Sequence, residues 1–149
     1  MIIRNMKTFN DYSETINSGS IGVNHGPFGT NIASDLQAAL SMKGGGNYAL
    51  PGLIEPHAHI DSTLVMPEFL SELFLPHGTT SILVDPMELS NAACLIGLKT
   101  LDKSINDLPF HSSIELSSRV ATAPGLETAS GELGLADVKD HAFSPFIEY

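Results

Sequence analysis

The 149-residue chain has no tryptophan, a single cysteine, and only 7 Lys and Arg against 17 Asp and Glu. It also lacks any apolar run long enough to span a membrane. Each scarcity excludes something. Cys94 has no second thiol in the chain to pair with, so no internal disulfide can form, and a reducing compartment is the default. A formal net charge of -10 and a pI near 4.8 exclude a partner gripped through phosphates, because nucleic-acid binding rests on clustered Lys and Arg. The N-terminal MIIRNMKTFNDYSE carries positive charges but no following apolar stretch of signal-peptide length. The reading is a cytoplasmic protein with no membrane contact and a small neutral or cationic ligand.

What is present is enough apolar material for a core: 42% of residues are hydrophobic and 16% charged. Residues 1–47 form a poorly defined N-terminal segment, rich in Asn, Ser and Gly, with short apolar stretches such as Ile21 to Val23. One helix is expected there, through IASDLQAALSM (32–42), with Asp35 near its start and Gly44 beyond its end. From residue 48 the texture changes. Short runs rich in branched residues alternate with segments of helical spacing, the pattern of βαβ units and a parallel sheet. Strands are expected at 48–54, 79–85 and 110–116. Between them, PEFLSELFL opens with Pro67 and closes at Gly78, and Leu95, Leu98, Leu101 and Ile105 line one helical face.

The loop after the first of these strands carries His57-Ala58-His59, then Ile60 and Asp61. At the end of an extended strand residues i and i+2 point the same way, so both imidazoles can converge on one cation. The alternative is a solvated loop histidine beside a satisfied core one. The pair sits at the C-terminal end of an apolar strand opening a βα unit, which is where barrel enzymes build active sites. The other histidines carry less. His77 belongs to a helix-to-strand turn at the far end of the strands, His111 lies inside a strand, and His25 and His141 have uninformative surroundings.

PGLIEPHAHIDS (51–62) resembles the first-strand motif of the metal-dependent amidohydrolase superfamily. LPHGTTSILVDPMELSN (75–91) and RVATAPGLETASGEL (119–133) resemble the second-strand region and the segment after the third strand of the adenine deaminase family. The resemblance covers about residues 47–140. It implies an α/β fold, the first three or so βα units of a (β/α)8 TIM barrel, over residues 48–149, with 1–47 as a remnant of the small β-sandwich that precedes the barrel in relatives. His57 and His59 would be metal ligands, and Glu127 a carboxylate that helps hold the metals. Asp85, Glu88 and Asp61 are candidates for orienting the ligands, although an Asp at a strand-to-helix junction more often caps the helix. One position departs from the family: Met87 stands where a histidine is usual, and a thioether is a poor ligand for such ions.

The resemblance further implies a divalent metal (Mn, Fe or Zn), a purine substrate, and hydrolysis of adenine to hypoxanthine and ammonia. Other amidohydrolases, such as cytosine deaminase or dihydroorotase, share the paired histidines but not the two downstream segments. A complete barrel needs roughly 250 residues, and later strands would supply more His ligands and the catalytic Asp. The expectation is therefore a truncated chain, active through association with other copies or chains, or else an inactive fragment that binds metal or a partner weakly.

Overall fold

The computed structural model describes residues 1–10, 12–23, 29–32, 40–117, 119–126, 128–129 and 131–141. The chain divides into two compact units, Met1–Pro51 and Gly52–Tyr149.

The first unit is built on one five-stranded sheet. Strands β1 (Ile2–Asn10) and β2 (Thr15–Gly22) form an antiparallel hairpin, β3 (Gly29–Ile32) pairs with β2, and β4 (Ser41–Lys43) and β5 (Tyr48–Ala49) run parallel to β1. The expected helix over 32–42 is corrected at both ends, since Ile32 closes β3 and Ser41 and Met42 lie in β4. Positions 33–39, its middle, lie outside the described residues. Nor did the sequence reading place β1, whose buried Ile2, Met6 and Thr8 are interspersed with polar residues. Alternation along an edge-rich sheet gives a weaker signal than a continuous apolar run.

The second unit holds the three parallel strands β6 (Leu53–Ala58), β7 (Thr79–Val84) and β8 (His111–Ile114), in that spatial order. Between β6 and β7 the chain makes a 3-10 turn at Ile60–Thr63, a second at Pro67–Phe69, the short helix α1 (Leu70–Phe74) and a third turn at Leu75–His77. Gly78, at φ 92°, then turns the chain into β7, a backbone angle that a side chain would strain. Its carbonyl accepts from the Leu53 amide at 2.8 Å, which starts the β6–β7 pairing. The long helix α2 (Met87–Ile105) crosses from β7 to β8, and α3 (Leu135–His141) follows. The first expected strand, 48–54, is split between β5 and β6, because Pro51 and Gly52 interrupt it.

Strand periodicity decides which side chains meet the helices. Ile82, Val84 and Ile114 pack with Leu70, Leu98, Leu101, Ile105 and Ile60 in one buried cluster. Residues one step away on each strand must project from the opposite face. Exposed Leu53 and Ile54 lie on the edge strand β6. A groove of about 460 Å³ along the three strands is lined by Ile54, Ser81, Leu83, His111 and Ser113 among others.

The loop after β8 returns to α2. Gly131 donates its amide to the Asn91 carbonyl at 2.7 Å, and a side chain at Gly131 would collide with the carbonyls of Ser90 and Asn91. Helix α2 departs from helical geometry at Cys94, whose sulfur accepts from the Glu132 amide at 3.3 Å. The only cysteine is thus half-buried at a helix kink.

Leu98 is 1% exposed and Leu64 is 97% exposed. Replacing Leu98 by Ala should cost about 3 kcal/mol through lost burial and a residual cavity, against under about 0.5 kcal/mol for Leu64→Ala. Urea denaturation of the two variants checks this; similar midpoints would mean that the cluster around α2 is not the core.

Candidate metal centre

The site follows from the register of the parallel strands. Ala58 pairs with Val84, and Val84 pairs with Ile114. All three side chains belong to the face packed by helices. The ladder continues one step beyond the strands: the Asp85 amide donates to the Ala58 carbonyl at 3.0 Å and the Glu115 amide to the Val84 carbonyl at 2.7 Å. Alternation therefore sends His57, His59, Asp85 and Glu115 to the opposite face, in a row across the C-terminal ends of three neighbouring strands.

The side chains converge as that placement requires. The imidazoles of His57 and His59 meet edge to face with centroids 5.0 Å apart. His57 Nε2 lies 3.9 Å from Asp85 Oδ2, and His57 Nδ1 lies 3.3 Å from Glu115 Oε2. His57, His59 and Asp85 each bring one ligand atom within 4.8 Å of the others. Two metal–ligand bonds of about 2.1 Å span at most about 4.2 Å, so side-chain rotation alone closes this set around one ion. A second group, His59, Asp61 and Glu88, shares His59 and meets the same 4.8 Å condition.

The donor chemistry fits a divalent cation. Imidazole with carboxylate suits Zn, Fe and Mn. Asp85 Oδ1, Asp61 Oδ1 and His59 Nδ1 are buried atoms with no hydrogen-bond partner among the described residues. Such orphaned polar atoms are costly, and a cation would satisfy them. His59 Nδ1 does lie 3.3 Å from Glu88 Oε2, but without the alignment of a hydrogen bond.

The three acids differ in electrostatic state. Burial pushes the Asp85 carboxyl above the ordinary aspartate range, and the nearby Glu115 charge adds to the push, while His59, His57 and Arg119 oppose it. Burial likewise raises Asp61, against the pull of the Leu89 amide. Glu88 moves the other way: desolvation raises it, but hydrogen bonds from the Ser62 hydroxyl and its own amide, with Asp61 and His59 close by, outweigh that and hold it low.

Asp61 has a second task. Its Oδ2 accepts from the Leu89 amide at 2.9 Å, in the first turn of α2. The residue preceding α2, Pro86, offers no side-chain cap, and Asp85, a capping candidate by position, points instead to the histidines. The helix is capped from a distant turn. Met87 is half-buried in that same first turn. Glu127 lies outside the described residues. Glu115 escaped the sequence reading; its signal was its place at the end of the third strand, one step beyond the buried Ile114. His77 and His111 are exposed and take no part.

No family model matches the chain. It is 40% identical over 139 residues to an adenine deaminase of Desulforamulus reducens, covering 93% of this chain and 24% of that protein. To an adenine deaminase of Mesorhizobium japonicum it is 34% identical over 145 residues, 94% of this chain and 24% of that one. To adenine deaminase 3 of Rhizobium meliloti it is 32% identical over 152 residues, 99% and 26%. The chain thus spans about a quarter of the length of the curated relatives it matches. Among solved structures, the L-hydantoinase (dihydropyrimidinase) of Arthrobacter aurescens superposes with a TM-score of 0.60 at 22% identity, over 76% of this chain and 26% of that one. That likeness is one of fold: the βα units here correspond to part of a β/α barrel.

A raised pKa means that the folded chain holds the Asp85 proton more tightly than the unfolded chain. Asp85 therefore costs nothing below the ordinary carboxylate pKa, and stability is lost as pH rises from there through the raised value. Asp85→Asn should stabilise the metal-free chain by about 1 kcal/mol at neutral pH, an advantage that vanishes in acid. Thermal melts of both proteins across pH test this. A variant less stable than the parent at neutral pH would contradict it.

Proposed function

We propose that this chain, a relative of the N-terminal part of the adenine deaminases, supplies the first ligands of the metal centre of an adenine deaminase-like hydrolase. The observation that carries the proposal is the convergence of His57, His59 and buried Asp85 at the C-terminal ends of adjacent parallel strands. Strand ends of this kind are where β/α barrels gather catalytic groups.

When bound, a divalent cation, Mn, Fe or Zn, supplies the Lewis acidity that activates water toward the ring carbon bearing the amine. His57 and His59 hold it, and Asp85 adds negative charge from a buried position. Beside His59, burial pushes the Asp61 carboxyl up and hydrogen bonds hold Glu88 low, and the two carboxyl groups lie within hydrogen-bond reach of each other. Such a pair can pass a proton to departing ammonia, the task of a general acid–base group in this hydrolysis. The overall reaction is adenine plus water to hypoxanthine plus ammonia. Glu127 remains a proposed further carboxylate on the strength of the Glu-Thr that opens its motif, and residues 1–47 a counterpart of the small domain before the barrel.

A second reading, a chain that binds metal or a partner without turnover, is favoured by the openness of the site. The His57 side chain is 50% exposed, and an efficient hydrolase excludes bulk water from its reacting centre.

One experiment separates these readings. Purified chain and a His57→Ala, His59→Ala double variant are loaded with Mn, Fe or Zn, assayed for metal content, and incubated with adenine. Both readings predict metal in the parent and little in the variant. Ammonia release that requires both histidines supports the hydrolase; metal binding without release supports the second reading. Equal metal in both proteins would rule out the site itself.

A further inference from the structure

We infer that Glu115 is a positioning residue for His57: its carboxylate accepts a hydrogen bond from the Nδ1–H and so fixes the ring with Nε2 turned toward Asp85 and the cation. The inference deepens the metal-site reading and rests on it. His57 Nδ1 lies 3.3 Å from Glu115 Oε2 in hydrogen-bond geometry, while Nε2 of the same ring lies 3.9 Å from Asp85 Oδ2. The two nitrogens of one imidazole are thus divided between two carboxylates on two different strands.

A neutral imidazole carries one proton, and the hydrogen bond made by one ring nitrogen decides which nitrogen is left to act as a ligand. A carboxylate can only accept, so Glu115 demands the proton on Nδ1 and leaves the lone pair on Nε2. It also draws charge toward the ring and makes Nε2 a better donor to a cation. Backbone anchoring keeps Glu115 in place, since its amide donates to the Val84 carbonyl at 2.7 Å at the end of the β7–β8 ladder. Glu115 makes no ion pair with a Lys or Arg among the described residues, and its charge lies close enough to Asp85 to oppose ionisation of that buried acid. The arrangement is unfavourable in the metal-free chain and is relieved when a cation arrives.

Long-range proton–nitrogen NMR spectra of the metal-free, histidine-labelled chain, recorded above the histidine titration, report the His57 tautomer directly. Titration with zinc alone gives the affinity. The parent should show the proton on Nδ1. Glu115→Gln should keep that tautomer, because the amide oxygen still accepts, with a small loss of affinity. Glu115→Ala should shift the proton toward Nε2 and weaken zinc binding by about tenfold or more, the range found when such ligand-orienting groups are removed. Glu115 is 44% exposed, so both variants should fold, and far-ultraviolet circular dichroism verifies it. An unchanged tautomer in Glu115→Ala overturns the inference, as does a shifted tautomer with zinc affinity within about twofold of the parent. If the parent binds no more zinc than the double-histidine variant, the metal-site reading fails, and the metal-free spectra still decide whether Glu115 orients His57.

Discussion

The site depends on one feature of the backbone: the parallel pairing of Ala58 with Val84 and of Val84 with Ile114, just beyond an irregularity in β6 between Glu55 and Ala58. These small or branched side chains fill the helix-facing side of the sheet, and a residue one step along must face the other way. His59, Asp85 and Glu115 are those next residues. A slip of one residue in β7 would turn Asp85 toward the buried cluster and send Val84 into the open. The same apolar packing that holds α2 on the sheet therefore sets the ligand geometry, and the two cannot be separated by mutation of the core.

The metal centre is costly to the fold that carries it. Asp85 is 3% exposed yet leaves one oxygen without a partner, and Glu115 stands close by with the same charge. Asp61 resolves part of its own burial by capping α2 through the Leu89 amide, which ties the turn after the histidines to the start of the long helix. A group of acids so placed is difficult to explain by folding alone, because apolar residues in their place would cost less. It is well explained by a cation that balances their charge.

Much of the second unit was legible in the sequence because continuous branched runs, a helix with apolar residues at three- and four-residue spacing, and Gly78 are strong local signals. The sheet-facing roles of Leu98, Leu101 and Ile105 follow from spacing alone. The first unit was less legible. Its strands mix buried Ile2 and Met6 with exposed polar neighbours, and pairing partners distant in sequence decide the outcome, as for Ile32, Ser41 and Met42. At the site, the paired histidines were visible as a motif, whereas the closeness of Asp85 and Glu115 to them required the register between strands. The capping of α2 by Asp61 was hidden for the same reason: 28 residues separate the two groups.

The most direct test of the account is to locate the cation. Crystals of the chain soaked in manganese should show an anomalous scattering peak about 2.2 Å from a ring nitrogen of His57, a ring nitrogen of His59 and a carboxylate oxygen of Asp85. A peak elsewhere, or none at these residues, would contradict it.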